Sequence, residues 1–347
     1  MKQQRSPFLL AAGLLLSLIF GTANAAFAAD PVVIKLAQPN RNDAFDNPAA
    51  AMAVVFKSLV EAATNRAVRV DIFPEGQLGR DADVVGLVRK GTIQTAVSSV
   101  SGVAPSYPLI GVLDLPFAFR SISEAYAVFD GPFGQQLAGD IRRKTGLAVL
   151  GFGDPGGFFA ITNSKRPIRT PEDMKGLRLR TMDLETHKAV VSSLGGDPVS
   201  IVWSETYTGL ATGAADGQMN PIPIIRFAKF DEVQRYLTLT NHLFAPFVWV
   251  MDGKFLDGLS PANRAAVQNA ARAAVVASRG LSRVIEASDR GLPPLAHRME
   301  VYVPTAKELE AFRQASQPVV RRHIEHKFGP EGMEMLARFE RAIAEVQ

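Results

Sequence analysis

The chain has 347 residues, 47% hydrophobic and 21% charged, a balance that excludes a disordered chain and suggests two domains. It contains no cysteine, which excludes thiol nucleophiles, disulfides and thiolate metal sites together. The net charge is +4, or about +2 once Lys2 and Arg5 are set aside with the first 28 residues, too weak and dispersed for a nucleic-acid binder.

Residues 1–28 read as a secretory signal peptide. Lys2 and Arg5 form a positive start, residues 8–20 an apolar run, and Ala26-Phe27-Ala28 a small-x-small cleavage site. The run is short for a bilayer span, and no cysteine follows it to take a lipid anchor. The mature chain is therefore expected to be soluble and held by its core.

Residues 32–37, 68–73 and 93–98 read as strands, with helices over 48–64 and 81–90 between them. This alternation predicts a parallel sheet covered on both faces. Ligands of such sheets sit beyond the carboxyl ends of the strands, which makes the loops 38–42 and 98–101, with Asn40 and Ser99, candidate cleft segments. Helices at 123–129 and 133–145 follow, then a strand over 147–151. Residues 151–156 match a bare G-x-G-x-x-G spacing, but Pro155 and the apolar residues 158–161 predict a turn and strand rather than a helix. A flexible crossover between domains fits better than a dinucleotide loop.

The segment 173–221 carries the chemistry. A strand over 176–181 holds Arg178 and Arg180, and a helix over 186–194 ends at Gly195-Gly196. A short strand, a helix start at Ser204-Glu205 and a turn at residues 216–221 complete it. A guanidinium binds a carboxylate bidentately, and alternation on a strand puts Arg178 and Arg180 on one face. Strands at 236–241 and 246–251, a long helix over 262–288 and amphipathic helices over 305–324 and 331–346 close the chain. His323-x-x-His326 lacks a third ligand nearby, and no hydrolase, zinc-protease or P-loop motif is present. No cofactor, metal or catalytic residue is expected.

Residues 73–79 (FPEGQLG), 113–117 (LDLPF), 175–180 (KGLRLR), 205–207 (ETY) and 216–221 (DGQMNP), in this order, resemble a known family. The chain looks like an extracytoplasmic solute-binding protein of the tripartite ATP-independent periplasmic (TRAP) transporters, of the DctP type. The resemblance implies an α/β fold of two lobes, a periplasmic-binding-protein clamp with a hinge and a long helix spanning both. Its expected division is residues 29–155 with 246–285 for lobe I, and 156–245 with 286–347 for lobe II. It implies that an organic acid anion is captured in the periplasm and delivered to a permease of two unequal membrane subunits, driven by an ion gradient.

By motif position the resemblance makes Arg180 the carboxylate ligand and Asn220 a second cleft residue. Trp203, Phe247 and Phe158 are expected as cleft walls, and Glu205, Tyr207 and Arg178 as supporting residues. Many members carry another arginine in the strand after the hinge, where this chain has Phe159 and Ala160. That absence leans the expected ligand towards a monocarboxylate with an apolar or aromatic body. Arg41 or the 98–101 loop remains open as a second contact. C4-dicarboxylate binding and a sensing subunit of a signalling receptor are the alternatives.

Overall fold

The computed structural model describes residues 30–347, so the expected signal peptide lies outside the described residues. Strands β1 (Val32–Ala37), β2 (Val68–Phe73), β3 (Thr95–Ser98) and β4 (Leu147–Gly153) open the chain. Next come β5 (Phe159–Asn163), β6 (Arg178–Thr181), β7 (Asp197–Ser200), β8 (Gly217–Pro221) and β9 (Tyr236–Thr238). The last two are β10 (Phe247–Asp252) and β11 (Glu300–Tyr302). They form two sheets, ordered β2-β1-β3-β10-β4 and β11-β9-β5-β8-β6-β7.

The first sheet is parallel through β2, β1 and β3, as the alternation predicts. It is not parallel throughout. β10 returns from the other sheet and pairs antiparallel with both β3 and β4. A strand that re-enters from the opposite direction needs no crossover helix on this sheet. In the second sheet β6 runs parallel to β7 and β8, while β5 is antiparallel to β8 and β9. The expected turn at residues 216–221 is largely strand: β8 pairs with β5 from Gly217 to Pro221. Gly217 permits that pairing, because a Cβ there would meet the Thr162 carbonyl oxygen at 2.2 Å.

The first sheet is closed on one face by the helices Pro48–Ala63 and Pro261–Ala287, whose alanines allow close approach. Trp249 on β10 is fully buried there, edge-on to Phe56 at 4.8 Å, and its indole N–H donates to Thr95 Oγ1. A buried indole needs such a partner, since an unmade hydrogen bond costs about 1–3 kcal/mol. The 27-residue helix Pro261–Ala287 continues past this sheet to the helix Ile222–Phe227 behind β8, and so spans both halves. The last helix, Ala306–Val346, bends at Gly329, where φ is 57°. Past the bend Phe339 packs on Phe119, Phe129 and Phe133, residues of the first half.

The segment between β4 and β5 is the crossover between the sheets, but it is pinned. Asp154, fully buried, accepts the backbone N–H groups of Gly156 (2.8 Å) and Gly157 (2.6 Å). Its other oxygen accepts from Tyr126 Oη (2.5 Å) and from Arg283 of the long helix (3.1 Å). Both glycines have positive φ, and a Cβ at Gly157 would strike the Arg283 guanidinium at 2.7 Å. The glycines serve this turn and this close approach.

Candidate ligand-binding site

The carboxyl ends of the parallel strands in the two sheets face one cavity of about 570 Å³. Gln38 and Asn40 follow β1, Ser99 follows β3, Arg180 lies on β6, and Ile201 follows β7. The antiparallel strands begin where these end, which brings Phe159 of β5 and Phe247 of β10 to the same space. Sequence reasoning placed the cleft there, and the register explains it.

Arg180 is 4% exposed and lines the cavity. Its Nε donates to the Ile201 carbonyl oxygen at 2.9 Å, and its guanidinium lies 5.9 Å from the centre of the Trp203 ring. Burial pulls its pKa down to about 10, so it stays charged at neutral pH. Among the described residues no acid pairs with it to offset that burial. A buried guanidinium with donors left over has the chemistry to take a carboxylate.

Asn220 lines the same cavity from β8. Gln218 pairs with Arg180 across β6 and β8, and Asn220 is two residues further, hence on the same face. The Asn220 amide donates to Gln218 Oε1 at 2.6 Å. Trp203, Phe247, Ser99 and Asn40 also line the cavity. Trp203 is held edge-on against Phe230 at 5.9 Å.

Other expected residues lie elsewhere. Phe158 does not line the cavity: it packs edge-on to Phe244 at 6.3 Å, and strand alternation gives the cavity to Phe159 instead. Arg178 is drawn out of the site by Asp216, with Nε and Nη2 on its two oxygens at 3.1 and 2.9 Å. Two arginines of one strand face thus part at the side-chain level, because an acid stands beside only one. Glu205 is exposed and caps no helix, and Tyr207 points away, donating to Glu232 at 2.8 Å. Neither supports Arg180. Arg41 is exposed, stacks on Phe227 at 4.8 Å and does not line the cavity.

Sequence reasoning missed the groups around Arg180. His187 and His242 flank Phe159 at 6.0 and 6.4 Å between ring centres. Burial pushes His187 down to about 3, with the Arg180 and His242 charges adding to it, and burial pushes His242 down to about 4. Both are neutral at neutral pH. Single histidines in apolar helix and loop contexts gave no signal of this convergence. Asp81, read only as a helix start, also lines the cavity, with Arg80 beside it.

The family model described as "Bacterial extracellular solute-binding protein, family 7" (DctP) matches residues 42–327. The 2,3-diketo-L-gulonate-binding periplasmic protein YiaO of Escherichia coli K12 is 35% identical over 219 residues, 63% of this chain and 66% of that protein. A TRAP periplasmic solute-binding protein of Polaromonas sp. JS666, solved with D-erythronate, superposes with a TM-score of 0.81. It is 31% identical, over 89% of this chain and 98% of that one. A second, from Sulfurospirillum deleyianum DSM 6946 with bound succinate, has a TM-score of 0.80 at 27% identity, over 88% and 98% of the two chains.

Proposed function

The chain belongs to the DctP family, the organic-acid-binding proteins of TRAP transporters, and from that premise we propose that it captures an organic monocarboxylate by hinge closure. The observation that carries this is Arg180: a buried guanidinium, unpaired with any acid among the described residues, opening on a cavity between two sheets. Its fork takes the two carboxylate oxygens, and the Asn220 amide adds a neutral donor on the same face. Trp203, Phe159 and Phe247 give the ligand apolar walls, which desolvate the ion pair and strengthen it.

Binding energy selects a conformation here rather than a transition state. The open form admits the anion, and closure brings the Gln38–Asn40 and Ser99 loops onto it. The pinned crossover at Asp154 and the long helix are the connections about which the lobes move. We take residues 29–155 with 246–285 as one lobe and 156–245 with 286–347 as the other, the last helix bridging both through Phe339. The chain acts in the periplasm after removal of its export segment. Its closed form is read by a permease of two membrane subunits that spends an ion gradient.

The monocarboxylate half of the sequence expectation is kept. The body of the ligand is not aromatic in this proposal, because the first sheet's side of the cavity is polar at Gln38, Asn40, Ser99 and Ser101. The second reading is a C4-dicarboxylate, favoured by Arg80 on the rim as a further cation and by the succinate found in one structural relative.

Isothermal titration against a panel of organic acids tests the proposal. Arg180→Ala is expected to abolish every binding signal while the protein stays folded. Retained affinity in that variant would sink it.

A further inference from the structure

Behind Asn220 a row of buried polar side chains runs away from the cavity across the second sheet. The register sets it up. Arg180 on β6 pairs with Gln218 on β8, and Gln218 pairs with Thr162 on β5, so the three share one sheet face. Asn220, two residues beyond Gln218, shares that face and stands opposite Ala160, whose methyl offers it no polar partner. Thr162, Gln218 and Gln234 are buried, and none of them lines the cavity.

Each link of the row has one possible direction, fixed from its far end. Gln234 turns one end of its amide to the Val233 carbonyl oxygen at 3.0 Å and to the Asp216 carbonyl oxygen at 3.4 Å. Carbonyl oxygens only accept, so that end is the NH2 group and the other is the oxygen. The oxygen lies 2.9 Å from Thr162 Oγ1, which therefore donates to it. A hydroxyl has one proton, so Thr162 Oγ1 can only accept from Gln218, whose Nε2 stands 2.9 Å away. That leaves Gln218 Oε1 as an acceptor, and Asn220 Nδ2 donates to it at 2.6 Å. Turning any amide over would set two donors or two acceptors face to face in a buried space, where an unmade hydrogen bond is costly.

The consequence falls on Asn220. Its nitrogen is held at Gln218, the residue opposite Arg180 in register, with one N–H still free. An amide not held in this way would turn its oxygen to the guanidinium, because a buried cation with spare donors attracts an acceptor. The site would then fill its own donors.

We propose that Gln218, Thr162 and Gln234 are positioning residues of the site: they fix the orientation of the Asn220 amide, so that Asn220 offers a donor to the bound carboxylate and does not occupy Arg180 with its carbonyl oxygen. The inference rests on the reading of Arg180 and Asn220 as the carboxylate ligands and names what keeps them ready for it.

The test is a mutant cycle with two readouts. Thr162→Val is nearly isosteric and removes the hydroxyl, whereas Thr162→Ser keeps it. In nitrogen–proton NMR spectra of the ligand-free protein, the Asn220 side-chain NH2 pair is identified by its loss in Asn220→Ala. The pair is expected to hold its position in Thr162→Ser and to move in Thr162→Val, where the amide is released. Titration calorimetry with D-erythronate and with succinate reads affinity. Thr162→Val is expected to weaken the tighter of the two about five- to tenfold, as Asn220→Ala does, and to add less than about twofold on top of Asn220→Ala. Thr162→Ser should bind within about twofold of wild type. Gln234→Met cuts the row one link further out, is expected to behave as Thr162→Val, and carries the test if Thr162→Val does not fold. Where neither acid binds, the NMR pair decides alone. An NMR pair unmoved in Thr162→Val, or an equal affinity loss with and without Asn220, overturns the inference and leaves the reading beneath it intact. An Asn220→Ala variant that binds as wild type does overturns that reading at Asn220, and the inference with it.

Discussion

The two walls of the cavity treat charge in opposite ways. On the wall of β6 and β8, Arg180 is buried with one backbone acceptor and, among the described residues, no acid, so most of its donors remain for something else. On the wall of β1 and β3, Asp81 is half-buried and held by neighbouring hydroxyls and backbone, with three of its acceptor positions filled. A buried charge left incomplete is a site that a ligand must finish, because an uncompensated ion in a protein interior is costly. A charge held mostly by the protein's own groups depends less on a ligand. In the proposed reading the first wall supplies the affinity for the carboxylate.

The largest effect expected from breaking this comparison is at Arg180. Arg180→Ala removes the charge that a bound carboxylate depends on, and affinity for any carboxylate should fall by about 3 kcal/mol or more, read by titration calorimetry. Arg180→Lys should recover only part of it, since an ammonium cannot reproduce the fork. A smaller loss is expected at Asn220. Asn220→Ala removes one neutral hydrogen bond, which predicts about 1 kcal/mol, or five- to tenfold in Kd.

Titration with pH sharpens the contrast without a mutation in the first wall. Arg180, pulled down only to about 10, and His187, pushed down to about 3, keep fixed charge states near neutrality. Burial lifts the Asp81 carboxyl above its ordinary range, against the hydrogen bonds from Ser99 and Ser98. A carboxyl with a raised pKa takes its proton sooner as pH falls, and the protonated group loses an acceptor. Affinity for a monocarboxylate that donates to Asp81 should therefore decline on acidification at a pH where the ligand is still ionised. The decline should be absent in Asp81→Asn. An affinity that instead rises through the ordinary histidine range would make His187 a second cation and erase the asymmetry.

The sequence showed one wall better than the other, for a physical reason. Arg180 sits on a strand whose alternation the sequence reports, and Asn220 came from the motif of the resemblance, its segment being expected as a turn and found as strand. Asp81 sits at a helix start, where an acid is ordinary capping chemistry, and only the fold of the loop after β3 brings Ser98 and Ser99 to it. The parallel strands β1 to β3 were legible from alternating elements, whereas β10 returns from the other sheet, and no local pattern reports which way a strand enters. Phe158 and Phe159 were interchangeable on paper, because a one-residue uncertainty in strand phase exchanges the faces. Glu205 and Tyr207 carried a motif but no direction, and the structure turns both away from Arg180.

The smallest expected effect is the most demanding test of the comparison. Arg178 stands two residues from Arg180 on the same strand, and a view based on charge alone gives the two equal parts in drawing an anion to the cleft. Their surroundings differ. Arg178 is half exposed and holds Asp216 with two hydrogen bonds, and Asp216 also binds the Arg178 backbone N–H at 3.0 Å. Lys165 lies 3.6 Å from the same acid, so Asp216 keeps a cation when Arg178 is truncated. Asp216 is buried but keeps Lys165 and the backbone N–H of residue 178, so losing the half-exposed Arg178 side chain should lower Tm by no more than a few degrees. Arg178→Ala should leave ligand affinity within about twofold of wild type, because no donor of Arg178 faces the cavity. A tenfold loss would mean that long-range charge, not the incomplete coordination of one buried guanidinium, governs capture, and Arg180 would lose its separate standing.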